Sequence, residues 1–364
     1  MLTLYGLKVS YFTGKMEAYL RAKRIPFAFQ SMTAEQFMKS FPAKLGALQM
    51  PVMQLADGRL MTDTTPMIDW LEGGYPDRAI LPEDPAMAFF ARLIEDYADE
   101  YLWRPAMHYR WSYWESAELL RRQIVNEIGR DVPIPGFLKR WRTYRRQRNF
   151  FVRRDGVSPV TWDHVEQAYL RLLEILDPIL ARRDYLMGGR VTLADIGLMG
   201  PLLRHFSMDP VPSKIMRETA PHVMAWVMRV WTSGDADWGD LPKQLPEDLH
   251  ALVTEIGATH LASLNANAAA WAKDPKAGFY DMRLQGTDYR KVPLSHYRVW
   301  CLEELQRHYH GLDDENRTKV DAVLAASNAR DALLAQDGIK SGYNEDGAAP
   351  FGAGSLAVHH DVPK

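Results

Sequence analysis

"QMPVMQLADGRLMTDTTPMIDWLE", residues 49–72, sets a proline, an Asp-Gly pair and an Asp-Thr-Thr-Pro step within one short run. Asp57-Gly58 lies between the apolar stretches "VMQLA" and "RLMT". Asp-Gly between such stretches is the strongest short hairpin signal a sequence offers. The segment therefore predicts an antiparallel hairpin. Pro66 then falls where the first turn of a helix leaves N–H groups unpaired in any case, and Thr64 or Thr65 is placed to cap that helix.

Working back towards the start, "LTLYG" reads as a short strand, and "TGKMEAYLRAK" spaces Met16, Tyr19, Leu20 and Lys23 as one helical face. "IPFAFQSM" is a second strand, entered through Pro26, and "TAEQFMKSF" a second helix. The order is βαβαββα. Only the last two strands are joined tightly enough to be antiparallel, so the sheet must be mixed.

Working forward from "GGYPDRAILPEDP", the pattern turns helical. "AMAFFARLIEDYADEYLWRPAMHYRW" is one long helix interrupted at Pro105. "TWDHVEQAYLRLLEILDPILARR" carries an apolar stripe from Val165 to Leu180. "VTLADIGLMGPLLRHF" opens on a capping box of Thr192 and Asp195, with Val191 stapled to Ile196. Its loss through Asp195→Ala is expected to cost about 0.5–2 kcal/mol. Another helix begins at Pro221. Beyond residue 241 the reading is three further helices, "PEDLHALVTEIGATHLASLNANAAAW", "LSHYRVWCLEELQRHY" and "DENRTKVDAVLAAS". The expected domains are an α/β domain over 1–80, an all-α bundle over 85–240 and a helical extension over 241–340. Residues 341–364, Gly-rich and polar, read as a mobile tail. His359 and His360 there lack companion ligands and suggest no metal site.

Bulk numbers narrow the function. The chain has 364 residues, 47% hydrophobic and 25% charged, as in ordinary globular proteins. No apolar run approaches the roughly 20 residues of a membrane span. The start reads as a strand, not a signal peptide. A single cysteine, Cys301, leaves no intrachain disulfide and no CxxC site, which suits the reducing cytoplasm. Cys301 itself reads as a small buried hydrophobe. A net charge of -2 argues against a dedicated nucleic-acid binder. One segment stands apart: "FLKRWRTYRRQRNFFVRR", residues 137–154, interleaves cations with aromatic rings. It reads first as a solvated face with arginine stems over rings, and second as a surface for phosphate-rich partners.

The "LYG" strand with Ser10 beyond it, "MPV" before the Asp-Gly hairpin, "LMTDTTPMIDWLE", and "YLMGGRVTLADI" followed by "PHVMAWVMRV" together resemble the glutathione transferase superfamily. The resemblance runs from residue 1 to about 235. It implies a thioredoxin-like α/β domain (βαβαββα, mixed sheet) followed by an all-α helical bundle domain, glutathione as cosubstrate, no metal, and a homodimer formed through the cleft side of both domains. It makes Pro51 cis, so that Met50 offers its backbone to the cysteinyl part of glutathione as an added strand would. It puts the γ-glutamyl end at Asp63-Thr64, where a helix N-terminus suits a carboxylate and Asp63 an ammonium. Lys39 or Lys44 is then placed for the glycyl carboxylate.

A transferase must ionise the glutathione thiol. A free thiol has a pKa near 8.5, and lowering it by about 2 units takes about 2.7 kcal/mol. One hydroxyl donated to sulfur supplies roughly 1.5–3 kcal/mol. The resemblance offers Ser10, which also fits a plain N-cap, or Tyr5, with Thr13 in reserve. The first helix lacks the cysteine of thiol-disulfide members. An electrophile is expected in the cleft between the domains, against Trp103, His108, Tyr109 and Trp111, with His108 a general acid or simply a hydrogen-bonded helix residue. The reading is thus an enzyme joining glutathione to a hydrophobic electrophile, or a non-catalytic module that keeps the fold to bind ligands or proteins.

Overall fold

A computed structural model describes residues 1–352; His359, His360 and the rest of 353–364 lie outside the described residues. The chain opens with β1 (Leu2–Gly6), α1 (Tyr11–Ala22), β2 (Phe27–Ser31), a wide turn at Gln36–Ser40 running into α2 (Phe41–Leu45), then β3 (Val52–Gln54), β4 (Leu60–Thr62) and α3 (Thr64–Gly74). The sheet order is β2-β1-β3-β4. β1 pairs parallel with β2 and β3/β4 is antiparallel, as their connection lengths require, while β1/β3, not directly connected, is antiparallel as well. Gly58 has φ +89° in the expected hairpin turn. The capping expectation fails: Asp63, not a threonine, stands at the N-cap of α3, and no side chain caps it. Thr65 instead gives its hydroxyl to Glu95.

The helical part follows: α4 (Pro85–Asp96), a wide turn at Tyr97–Tyr101, α5 (Trp103–Trp111), α6 (Trp114–Glu127), α7 (Gly136–Gln147), α8 (Trp162–Leu180), α9 (Leu193–Pro201), α10 (Pro210–Thr219) and α11 (Pro221–Trp231). The architecture is a thioredoxin-like sheet domain followed by a helical domain. α9 is the central wedge. A Cβ on Gly200 would stand 2.7 Å from the Tyr11 ring, and one on Gly197 2.6 Å from the Glu95 Cα, so only glycine lets α1 and α4 close on this helix. No helix among the described residues is long and apolar enough to cross a membrane.

The extension adds α12 (His250–Ile256), α13 (Ala262–Lys273), β5 (Phe279–Leu284), β6 (Thr287–Pro293), α14 (His296–His310), α15 (Asp314–Ala326) and α16 (Arg330–Leu334). The β5–β6 hairpin was missed at the level of sequence, although "YDMRL" alternates up to Gln285-Gly286, which form the turn and are both at positive φ. α14 and α15 lie on α4. Arg298 donates to Glu100 at 3.1 Å, and His260 meets Asp96 at 2.6 Å.

Residues 341–352 depart from the expected mobile tail. Tyr343 is buried against Tyr297 and Trp300. The Pro350 carbonyl accepts the Thr62 N–H at 3.0 Å, on the exposed edge of β4, and Phe351 stacks edge-on to Trp70. An open strand edge and an exposed tryptophan give a Gly-rich segment something to bind, which composition does not report.

Asp195 does more than a capping box needs. It accepts the Thr192 N–H at 2.9 Å and the Thr192 hydroxyl at 2.8 Å, and it also accepts Leu186 N–H and the Trp226 indole N–H from outside its own helix. Asp195→Ala should therefore exceed the sequence-based figure and cost on the order of 3 kcal/mol, because several buried donors lose their acceptor. Urea unfolding midpoints of the two proteins measure it, and a loss below about 1 kcal/mol would contradict the role.

Candidate functional site

A cavity of about 570 Å³ opens between the sheet domain and the helical domain. The first domain contributes Ser10 and Phe12 from the start of α1, Phe37 and Met38 from the turn before α2, Met50, and Asp63-Thr64. The helical domain contributes Trp103, Met107 and Trp111 from α5 and one face of α7, and the extension contributes Tyr297 and Arg298. The Met50–Pro51 peptide is cis.

One end of the cavity is acidic. Asp63, Asp99 and Glu100 line it, and Glu95 lies just behind, salt-bridged to Lys15. The Lys15 ammonium, fully buried, sits 2.5 Å from both Glu95 and Asp99. Burial works against that charge, yet Asp99 and Glu95 hold its pKa above the ordinary lysine value. The carboxyls outnumber the cations, and desolvation pushes Asp99 and Glu100 upward. Asp63 is pushed up to about 7, first by burial, with Glu100 and Glu95 adding to it against the Tyr297 hydrogen bond and Lys15. Tyr297 donates to the Asp63 carboxylate, 3.1 Å from each oxygen. Asp63 also sits at φ +73°, a region that non-glycine residues occupy at a cost of about 1–3 kcal/mol and mainly at functional sites. Oδ1 of Asp99 has no hydrogen-bond partner among the described residues. This end is built to receive a cationic group with N–H donors.

The sequence-derived candidates divide. Ser10, Met50, Asp63, Thr64, Trp103 and Trp111 come together at the cavity. Ser10 is the N-cap of α1 and accepts the Thr13 N–H at 3.4 Å, which leaves its own O–H free to donate. Tyr5 does not reach the cavity: strand alternation turns it to the α2 side of the sheet, where its hydroxyl meets Gln54 at 3.3 Å and its ring meets Phe41. Thr13 is fully buried beneath β1, packed on Gly6. Lys39 and Lys44 are exposed and do not line the cavity, whereas the half-buried Phe37 and the exposed Met38 do.

His108 and Tyr109 are likewise displaced by helical phase. Trp103, Met107 and Trp111 share the face of α5 that meets the cavity, whereas His108 and Tyr109 turn towards α8. There His108 is held between Ser112 at 2.9 Å and Glu166 at 3.1 Å, its pKa lowered by burial. Turned away from the cavity, it is not placed to protonate a leaving group in the cleft. Cys301 is buried in α14, and burial, with Asp96, Glu100 and Asp63 near, pushes its thiol well up.

Sequence reasoning missed Asp99 and Glu100, which are polar positions inside an amphipathic pattern, and Tyr297 and Arg298, about 200 residues from the groups they meet. It also missed His205, fully buried on the cavity wall, with Nε2 unpartnered among the described residues. The basic face of α7 was seen but placed in solvent.

A mixed sheet of this order, a cis-proline at its rim and a cleft against a helical bundle define a two-domain protein of thioredoxin-like plus helical type. Residues 4–79 match the family model of the glutathione S-transferase N-terminal domain, and residues 151–233 that of the glutathione S-transferase C-terminal domain. Through these two domains the chain belongs to the glutathione transferase superfamily. Residues 234–352 lie outside both matches.

Among solved structures, the chain is similar to a glutathione S-transferase from Rhodospirillum rubrum F11, with 18% identity, a TM-score of 0.43, and 67% of this chain and 97% of that chain covered. It is also similar to the beta-etherase LigF from Sphingobium sp. strain SYK-6, with 22% identity, a TM-score of 0.44, and coverages of 63% and 94%. A glutathione S-transferase from Methylobacterium radiotolerans, in complex with glutathione sulfonate, gives 18%, 0.39, 67% and 99% for the same quantities. At such values neither the ether substrate nor the sulfonate transfers to this chain. A search of curated proteins returns no match.

The raised pKa of Asp63 has a definite sign. Below about pH 4 the carboxyl is protonated folded and unfolded; as pH rises towards 7 only the folded state must keep it neutral, so stability falls. Between pH 5.5 and 8 the wild type should lose at most about 2 kcal/mol relative to Asp63→Asn, which cannot ionise. Urea midpoints at the two pH values test this, and parallel curves for both proteins would refute it.

Proposed function

We propose that the protein is a glutathione transferase-like enzyme that joins the glutathione thiolate to a hydrophobic electrophile. One observation carries the reading: the Ser10 hydroxyl, Met50 beside the cis-proline, and Asp63-Thr64 at the start of α3 all face one cavity. Glutathione laid along these residues places its cysteinyl part at Met50, where backbone pairing extends the sheet. Its γ-glutamyl carboxylate meets the N-terminus of α3. Its ammonium enters the acidic end, among Asp63, Asp99 and Glu100. The sulfur then lies towards Ser10, whose O–H donates to the thiolate, aided by the α1 N-terminus. Trp103 and Trp111 form the wall for the electrophile.

Tyr297 makes the extension a part of this site. Its hydroxyl holds the Asp63 carboxylate, so an arriving ammonium shares or displaces that bond. The same contact favours a second reading, a non-catalytic ligand-binding or protein-interaction module in which Tyr297 permanently takes the place of the peptide's γ-glutamyl end. A reducing, cytoplasmic setting fits both the single buried cysteine and a supply of glutathione. The homodimer expected from the resemblance would have to form around α14 and α15, which lie on α4.

Calorimetric titration with glutathione separates the readings. Wild type should bind, Asp63→Ala should bind roughly tenfold to a hundredfold more weakly, and Ser10→Ala should bind nearly as well but lose the thiolate absorbance near 240 nm at neutral pH. Unchanged affinity in Asp63→Ala would remove the γ-glutamyl assignment, and absence of binding would favour the module. Affinity of wild type should rise between pH 6 and 8, because the bound ammonium favours ionised Asp63, whose pKa in the empty site is about 7. Sedimentation equilibrium reads the subunit number, and a single-chain mass at micromolar concentration would set the homodimer aside.

A further inference from the structure

The face of α7 that looks into the cavity is polar and cationic throughout. Lys139, Arg142, Thr143, Arg146 and Gln147 line it at helical spacing. Segment 137–154 holds eight Lys and Arg and no Asp or Glu. Five cations line the cavity, and three are already committed. Arg110 is bidentate to Asp209 and donates to the Val9 and Arg204 carbonyls. Lys139 donates to the Gly129 carbonyl at 2.7 Å, and Arg298 to Glu100. Arg142 and Arg146 have neither ion pair nor hydrogen bond among the described residues. The cavity's own carboxylates stand at the opposite end, engaged by Lys15, Arg298 and Tyr297.

Between Ser10 and these arginines runs a row of rings. Phe12 stacks on Trp103, centroids 5.7 Å apart and planes 15° from parallel. Trp103 meets Phe151 edge-on at 5.5 Å, and the Arg146 guanidinium lies 6.0 Å from the Phe151 centroid. Desolvation lowers the Arg146 pKa with no opposing charge to offset it. A neutral apolar ligand would use the rings and leave two guanidinium groups facing it. An apolar ligand ending in an acid uses both.

Resting on the reading above for the cavity itself, we infer that its second ligand is a planar aromatic acid, a carboxylate or sulfonate, with its ring along Phe12 and Trp103 and its anion on Arg142 and Arg146. A guanidinium pair matches such an anion in charge and fork geometry. The polarity of the cavity then sorts its two ligands, the ammonium-bearing one to the Asp63 end and the acid to the α7 end.

The test is quenching of tryptophan fluorescence by 2-naphthoate and by the neutral 2-naphthylmethanol, without glutathione, at low and high salt. In wild type the acid should bind at least tenfold more tightly, and added salt should shrink the gap. Arg142→Gln with Arg146→Gln should abolish the gap and leave the alcohol unchanged. Arg145→Gln, whose side chain lies 5.3 Å from the Trp141 centroid and does not line this cavity, should keep it. If circular dichroism shows the double variant unfolded, each single variant should lose part of the gap. Equal binding of acid and alcohol by wild type overturns the inference, as does a folded double variant that still prefers the acid. So does an oligonucleotide that binds more tightly than naphthoate and depends equally on Arg142, Arg145 and Arg146. Because glutathione is absent, a naphthoate preference in a protein that ignores glutathione would retain this inference while sinking the transferase reading, and the reverse result would do the opposite.

Discussion

Burying Lys15 between Glu95 and Asp99 is the constraint on which the site depends. A fully buried ammonium is tolerable only with close carboxylates, and the two that serve it come from α4 and the turn after it, while Lys15 comes from α1 of the sheet domain. The ion pairs thus lock the two domains at the floor of the cleft. They also gather more acid than base there. Asp63 and Glu100 add to the excess, and Arg298 with the Tyr297 hydroxyl answers only part of it. Burial pushes Asp63, Asp99 and Glu100 towards the neutral form.

That floor needs close packing above and cover behind. Gly197 and Gly200 bring α9 against α4 and α1, setting the distance at which Lys15 meets its partners. Asp195 gathers its donors from Leu186, Thr192 and Trp226 and holds α9 against the segments on either side of it. On the outer side, α14 and α15 lie on α4, and residues 341–352 reach the edge of β4. The extension is therefore not an appendage: it packs behind the acidic end and contributes Tyr297 to it. Burial is the largest influence on Asp63 and the Tyr297 hydrogen bond works against it, so the extension tunes the charge state of a residue it does not carry.

The opposite wall obeys a different rule. α7 offers cations without counter-charges, α5 offers rings, and the cavity runs from buried carboxylates through apolar surface to exposed guanidinium groups. Such a gradient orients any ligand with unlike ends, since reversal would set an acid on Asp63 and leave both arginines unmatched.

Local sequence signals determined the order βαβαββα, the Asp57-Gly58 hairpin, the capping box at Asp195 and the helical second half, because turn chemistry and hydrophobic period act over a few residues. The turn at Pro51 and the places of Ser10, Met50 and Asp63-Thr64 came from the family resemblance, carried by the order and spacing of motifs along the sequence. Tertiary structure alone decided the rest. Strand and helix phase, settled by packing, removed Tyr5, Thr13, His108 and Tyr109 from the cleft, and Lys39 and Lys44 do not line it. Long-range contact brought Tyr297 and Arg298 to residues far away in the chain, and turned a face of α7 that composition assigns to water towards a cavity. Periodicity shows that a face is buried or exposed. Which partner it meets depends on the path of the whole chain, and the electrostatics of this site come from those meetings.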